Sequence, residues 1–158
     1  MARLVDHSAL RTNQAFIIGL LVLAFIADWV AMVAIVAVVM TVGTIWPKAG
    51  LFKIIYERLL MDRVVAPDVI ADNPQPHRFS QGFGATVLGV ALVLFAVAAP
   101  VLGWVVVGVV VALAALNLFL GFCAGCYLYY RLARANVSGF KALPMGDGPL
   151  GMRPRQSS

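Results

Sequence analysis

The sequence predicts an all-α membrane protein: four transmembrane helices arranged as two hairpins, with an amphipathic interfacial helix in the loop between them. Three observations carry this prediction. Of the 158 residues, 62% are hydrophobic and only 12% charged, and mean hydropathy is +0.93, whereas soluble domains are about half apolar and about a quarter charged. Two long runs are nearly free of charge: Gln14–Trp46, broken only by Asp28, and Phe79–Tyr130, broken by nothing. All 12 Lys and Arg residues lie outside those runs.

Neither run suits a single span. The bilayer core is crossed by about 20 apolar residues, and a helix as long as the first run would reach roughly 50 Å. Two shorter helices joined near Asp28–Trp29 fit better, over about 14–27 and 29–46. The run passes any plausible signal-peptide core, and no A-x-A site precedes Asp28, which argues against a cleaved leader. Pro47 ends the second helix. Over 49–65, Leu51, Ile54, Ile55 and Leu59 alternate at helical spacing with Lys53, Glu57, Arg58 and Arg63. That segment is expected to lie in the headgroup interface. Residues 66–78, with Pro67, Asn73-Pro74 and Pro76, read as loop. In the second run the natural turn is Ala99-Pro100, giving helices over about 81–98 and 101–130. Residues 1–135 thus form one membrane domain. Residues 136–158, rich in Gly, Pro and basic residues, are expected to be a flexible tail.

The two runs echo each other, which allows a parallel repeat about an axis along the membrane normal. Asn13-Gln14-Ala15-Phe16 opens the first and Ser80-Gln81-Gly82-Phe83 the second, and each turns near a tryptophan, Trp29 or Trp104. With four spans the N-terminus, middle loop and C-terminus share a face, and that face receives every Lys and Arg, as the positive-inside rule requires. The net charge of +5 therefore marks orientation, with both termini cytoplasmic. It is not a nucleic-acid footprint.

Chemistry centres on Cys123 and Cys126. On a continuous helix their C-x-x-C spacing sets the thiols on neighbouring faces, about 5–6 Å apart at Cβ, and closing a disulfide requires local distortion. Near the C-terminus of a helix the dipole disfavours a thiolate; Arg131, Arg134 or a break at Gly121 or Gly125 would offset this. A reducing cytoplasm favours free thiols. Two readings stand side by side. In one the pair is a functional dithiol, with Cys126, nearer water, attacking and Cys123 resolving. In the other the cysteines pack in a small-residue seam formed by Gly121-x-x-x-Gly125, with Asn117 hydrogen-bonding across helices. A soft metal is a further use for the thiols. His77 is the only loop histidine able to add a ligand and is expected to be solvated. No cofactor is called for. The sequence shows no nucleophile–base constellation, phosphate loop or acidic metal cluster, which argues against a self-contained hydrolase or transferase.

Asn73-Pro74-x-Pro76-His77-Arg78-Phe79-Ser80-Gln81-x-Phe83, the Gly121–Tyr127 element G-F-C-A-G-C-Y, and N-Q-A-F at 13–16 resemble the domain-of-unknown-function family 4395. The resemblance covers roughly Arg11 to Arg134. It implies a four-helix protein of the bacterial inner membrane, encoded near thioredoxin-like and sulfurtransferase proteins, and supplies no established activity. The expected function is a thiol-redox or sulfur-relay component, with Cys123 and Cys126 facing a soluble thioredoxin-like or rhodanese-like partner. The alternatives are a small permease or soft-metal binder, and a structural subunit whose cysteines only pack; a homo-oligomer is compatible with each.

Overall fold

A computed structural model describes residues 3–46, 69–140 and 150–152; the interfacial helix expected over 49–65 lies outside the described residues. In chain order the elements are β1 (Arg3–Asp6), α1 (His7–Ile26), α2 (Val30–Ile45), β2 (Val69–Asp72), α3 (Pro74–Ala96), α4 (Pro100–Leu120) and α5 (Ala124–Arg134).

The helices begin earlier than the apolar runs do, because polar caps hold their first turns. Asp6 Oδ1 accepts from the N–H groups of Ser8 at 2.9 Å and Ala9 at 3.4 Å, starting α1 at His7 instead of Gln14. Asn73 Oδ1 accepts from the N–H of Gln75 at 3.1 Å and starts α3 at Pro74 instead of Gln81. Pro74 and Pro76, read as loop markers, in fact sit in a first turn, where a missing N–H costs nothing. Residues 74–78 are therefore helix, which corrects the loop expected there.

Tight turns reverse the chain at the far end. Asp28 and Ala98 adopt positive φ, at 48° and 58°. Trp104 Nε1 donates to Asp28 Oδ1 at 3.1 Å and ties the two turns together. Between the ends, α2 packs on α3 and α1 on α4, and each of α1 and α3 also packs on the helix that follows it. The shared core holds Ile17, Leu21, Val33, Val36, Leu88, Val107 and Val110. The outward surface is equally apolar: Ile26, Val101 and Phe119 are 74–76% exposed. Such a surface requires an apolar surrounding. Three helices, α1, α3 and α4, are long and apolar enough to cross a membrane, and α2 is shorter, at 16 residues.

The helix expected over 101–130 is two helices. Gly121 takes the left-handed conformation, φ 65°, its N–H bonded to the Asn117 carbonyl, and closes α4. Cys123 is extended, φ −94° and ψ 101°, and caps α5, which packs across α3. The Gly121/Gly125 seam does not form. Among the described residues nothing approaches the place a Gly121 side chain would take, whereas Gly125 lies directly on Ser80.

β1 and β2 form an antiparallel ladder that the sequence reading missed, with Leu4 opposite Ala71 and Val5 opposite Ile70. The ladder closes the end of the bundle where α1 and α3 begin.

Candidate functional site

The site lies at that end. The break at Gly121 frees Cys123 from helical geometry, so its side chain folds onto the next turn and its sulfur bonds that of Cys126. The pair is a disulfide with Cα atoms 5.1 Å apart, where separate thiols on a continuous helix were expected. The dipole objection is reversed as well. The cysteines occupy the start of α5, where Cys123 Sγ also receives the N–H of Cys126 at 3.1 Å. Helix starts favour a thiolate. Both residues are 4% exposed.

On one side of the disulfide is a polar line. Cys126 Sγ is 3.6 Å from His77 Nδ1, and His77 Nε2 is 2.9 Å from Asp72 Oδ2. The same carboxylate oxygen is 3.2 Å from His7 Nε2, a short contact that is not aligned as a hydrogen bond. The two imidazoles meet edge to face at 5.8 Å. β2 and the first turn of α3 set this geometry: Asp72 ends the strand, Asn73 caps the helix, and His77 follows one turn on. Burial pushes the Asp72 carboxyl up, but His7, His77 and the Asn73 N–H outweigh it and hold it well below the usual carboxylate range. Thiol, imidazole and carboxylate in this order are a nucleophile, a base and the group that orients the base.

On the other side Cys123 borders a cavity of about 230 Å³ between α1, α3, α4 and α5. Gln14, Gln81 and Asn117 line it together with Ile17, Val110 and Leu113.

A third contact comes from the tail. Gly151 O accepts the Cys123 N–H at 2.8 Å, Met152 bridges to Phe122, and Gly151 is buried against Tyr127. Phe140 packs on Phe79 and Tyr129. These stretches of the segment expected to be a free tail are held against the bundle.

The protein-family model described as "Domain of unknown function (DUF4395)" matches residues 5–134. The chain belongs to this family. No curated protein and no solved structure matches it. The matched region of this DUF4395 chain runs from β1 to the last residue of α5, and so includes both histidines, Asp72 and both cysteines but not the strap at 150–152.

Every residue of the Asn73–Phe83 motif has a place near the site. Asn73 is the buried cap, and Pro74 and Pro76 shape the first turn. Arg78 donates twice to Thr44 O at the end of α2, at 2.8 and 3.3 Å, Phe79 stacks among Phe83 and Tyr129, and Gln81 reaches the cavity. Asn117 faces the cavity too, in place of the helix-to-helix bond expected of it. Sequence reasoning missed His7 and Asp72 and took His77 for solvated; its side chain is 20% exposed and bridges Asp72 to Cys126. An available signal was Asn-Pro read as cap and first helical residue, which places His77 on the first turn of α3.

Proposed function

We propose that this chain is a four-span membrane protein that performs thiol–disulfide exchange through Cys123 and Cys126 with a soluble thioredoxin-like or rhodanese-like partner. The spans are α1 to α4, as two hairpins entering from the cytoplasmic face. The placement of Arg11, Arg78, Arg131 and Arg134 around the cysteine end supports this orientation. The observation that carries the reading is the line Asp72–His77–Cys126, with 2.9 and 3.6 Å steps, ending on a disulfide at a helix start.

Exchange then runs as follows. The partner's thiolate attacks Cys126 Sγ and forms a mixed disulfide. The Cys123–Cys126 bond breaks, and its electron pair stays on Cys123, where the Cys126 N–H and the start of α5 hold the thiolate. The partner's second thiol attacks its own sulfur in the mixed disulfide and releases Cys126, which takes a proton from His77. The proton lost by the partner's second thiol reaches Cys126 through His77, so two electrons and one proton have passed from the partner's thiolate–thiol pair to the protein, where Cys123 remains a thiolate. Asp72 keeps the imidazole in place throughout. Because both sulfurs are buried, the strap at 150–152 lifts for the partner to reach them.

The test is to trap the intermediate. The unaltered, oxidised protein in membranes, offered a reduced thioredoxin-like protein lacking its own second cysteine, should accumulate a mixed disulfide on Cys126. If the protein's cysteines never form a mixed disulfide and a double Cys→Ser variant keeps the cellular phenotype, the pair only packs.

A second reading is favoured by one observation: ligand atoms of His77, Cys123 and Cys126 lie within 4.8 Å of one another. In the reduced protein this set suits a soft monovalent metal better than zinc, which takes four ligands. Stoichiometric Cu(I) binding by reduced protein, lost in His77→Ala, would favour it over exchange.

A further inference from the structure

We propose that the cavity beside Cys123 binds the ring of a membrane-soluble quinone, which takes the electrons of the Cys123/Cys126 dithiol; this rests on the exchange reading above. The disulfide has two distinct environments. Cys126 meets the acid–base line of His77 and Asp72, while Cys123 forms part of the cavity wall. A pair that exchanged with a soluble partner alone has no use for the second environment.

The cavity's chemistry selects its occupant. None of its lining residues carries a charge, which excludes charged tripeptide disulfides and metal ions as fitting ligands. Its walls are apolar at Ile17, Val110 and Leu113 and carry amides at Gln14, Gln81 and Asn117. No hydrogen bond joins these three amide side chains to another described residue, so their N–H donors are free for a guest's carbonyl oxygens. A cavity of about 150 Å³ holds benzene, so about 230 Å³ accommodates a substituted ring. Half-exposed Phe83 stands at the rim, on the apolar outer surface from which a lipid-dissolved molecule arrives. A neutral, planar ring with two carbonyls, soluble in lipid and reducible by two electrons, is a quinone.

The reaction balances without a further reagent. The Cys123 thiolate adds to the ring and forms an S–C bond. Cys126, its proton drawn off by His77, attacks Cys123 Sγ; the S–S bond forms, the S–C bond breaks, and the electron pair passes to the ring. The two protons lost by the thiols end on the two quinone oxygens, giving quinol and disulfide. Together with exchange at Cys126, electrons cross the pair in one direction, from soluble dithiol to quinone.

The experiment uses the full chain in phosphatidylcholine vesicles, reduced with dithiothreitol, freed of it, and kept without oxygen. Decylubiquinone is added, quinone absorbance is followed, and thiols are counted by maleimide mass shift. Quinol should form in step with disulfide, one for one. If decylubiquinone leaves the pair reduced while glutathione disulfide closes it, the quinone inference is wrong and the exchange reading stands. If neither closes it, the exchange reading fails with it. A photoreactive azidoquinone on the unaltered protein should attach within residues 13–17, 80–87, 110–117 or 123–128, and attachment confined to other regions would overturn the site. Asn117→Leu should slow quinone reduction about tenfold, the worth of one hydrogen bond; an unchanged rate would overturn recognition by the amides.

Discussion

The first half of the bundle (β1, α1, α2) and the second (β2, α3, α4) are built on one plan, offset by 67 residues. Asp6 and Asn73 cap their helices. Arg11 reaches Leu118 O near the end of α4, and Arg78 reaches Thr44 O near the end of α2. Gln14 and Gln81 line the same cavity. The ladder obeys the same offset, since Leu4 pairs with its own counterpart, Ala71. These correspondences are what a two-fold axis through the ladder produces. Yet only the second half carries the disulfide. Where α2 ends at Ile45, α4 stops at Gly121 and the chain continues as α5, whose cap and first turn hold both cysteines. The difference teaches that the scaffold is doubled while the proposed chemistry rests on an extension of one copy, which borrows His7 from the other.

The largest expected effect probes that borrowing. His77 touches Cys126, whereas His7 reaches the pair only through Asp72 and the edge of the His77 ring. Under the proposed exchange, His77→Ala should slow release of Cys126 from the mixed disulfide about 10²-fold, the usual range for a lost general acid. His7→Ala should cost less than that. Equal losses would mean that the two histidines act as one structural clamp. The comparison is read from stopped-flow exchange with a soluble dithiol, with the pH profile of each variant recorded alongside.

Next comes the place where the extension meets the scaffold. A side chain at Gly125 collides with Ser80, including its backbone, whereas the space at Gly89 is open. Gly125→Val should destabilise the protein by about 1–3 kcal/mol, as overpacking does. Gly89→Ala, mid-helix in α3, should be neutral or slightly stabilising. Thermal unfolding in micelles decides between them, and a Gly125 variant as stable as the parent would mean that α5 docks elsewhere.

Acid should loosen the second half through Asp72. Its carboxyl is held below the usual range, so between ordinary carboxylate values near pH 4 and its own lower value the unfolded chain binds the proton and the folded chain does not. Stability from this group is fully present above that window and is lost as pH falls through it. Asp72→Asn should therefore flatten the fall in melting temperature between pH 5 and pH 3, and an unchanged slope would place the acid-sensitive group elsewhere.

How much of this was legible follows from what each signal measures. Hydropathy reports which residues avoid water, so it found the two apolar runs and the turn at Asp28. It could not find the starts at His7 and Pro74, which depend on capping side chains instead of apolar ones. The C-x-x-C spacing found the pair, but treating 101–130 as one helix inverted its electrostatics, because a single Gly121 decides whether the cysteines end a helix or begin one. Asp72 and His77 are five residues apart across the cap of α3, but His7 meets them only through ladder register, in contacts between residues 65 and 70 positions apart that no local pattern contains.

The smallest expected effect is the most direct measure of how alike the halves are. Arg78 makes two bonds to Thr44 O, the shorter at 2.8 Å, and Arg11 a single one of 3.4 Å to Leu118 O. Both side chains are exposed, so each should be worth about 1 kcal/mol or less. Arg78→Gln should lower the melting temperature more than Arg11→Gln, because its two N–H groups satisfy a carbonyl that the end of α2 leaves without a helical partner. If the two substitutions prove equal, the halves are energetically as well as geometrically alike at this joint. If Arg11→Gln costs more, the closing of α4 just before the cysteines depends on the first half, and the division between scaffold and chemistry must be redrawn to include it.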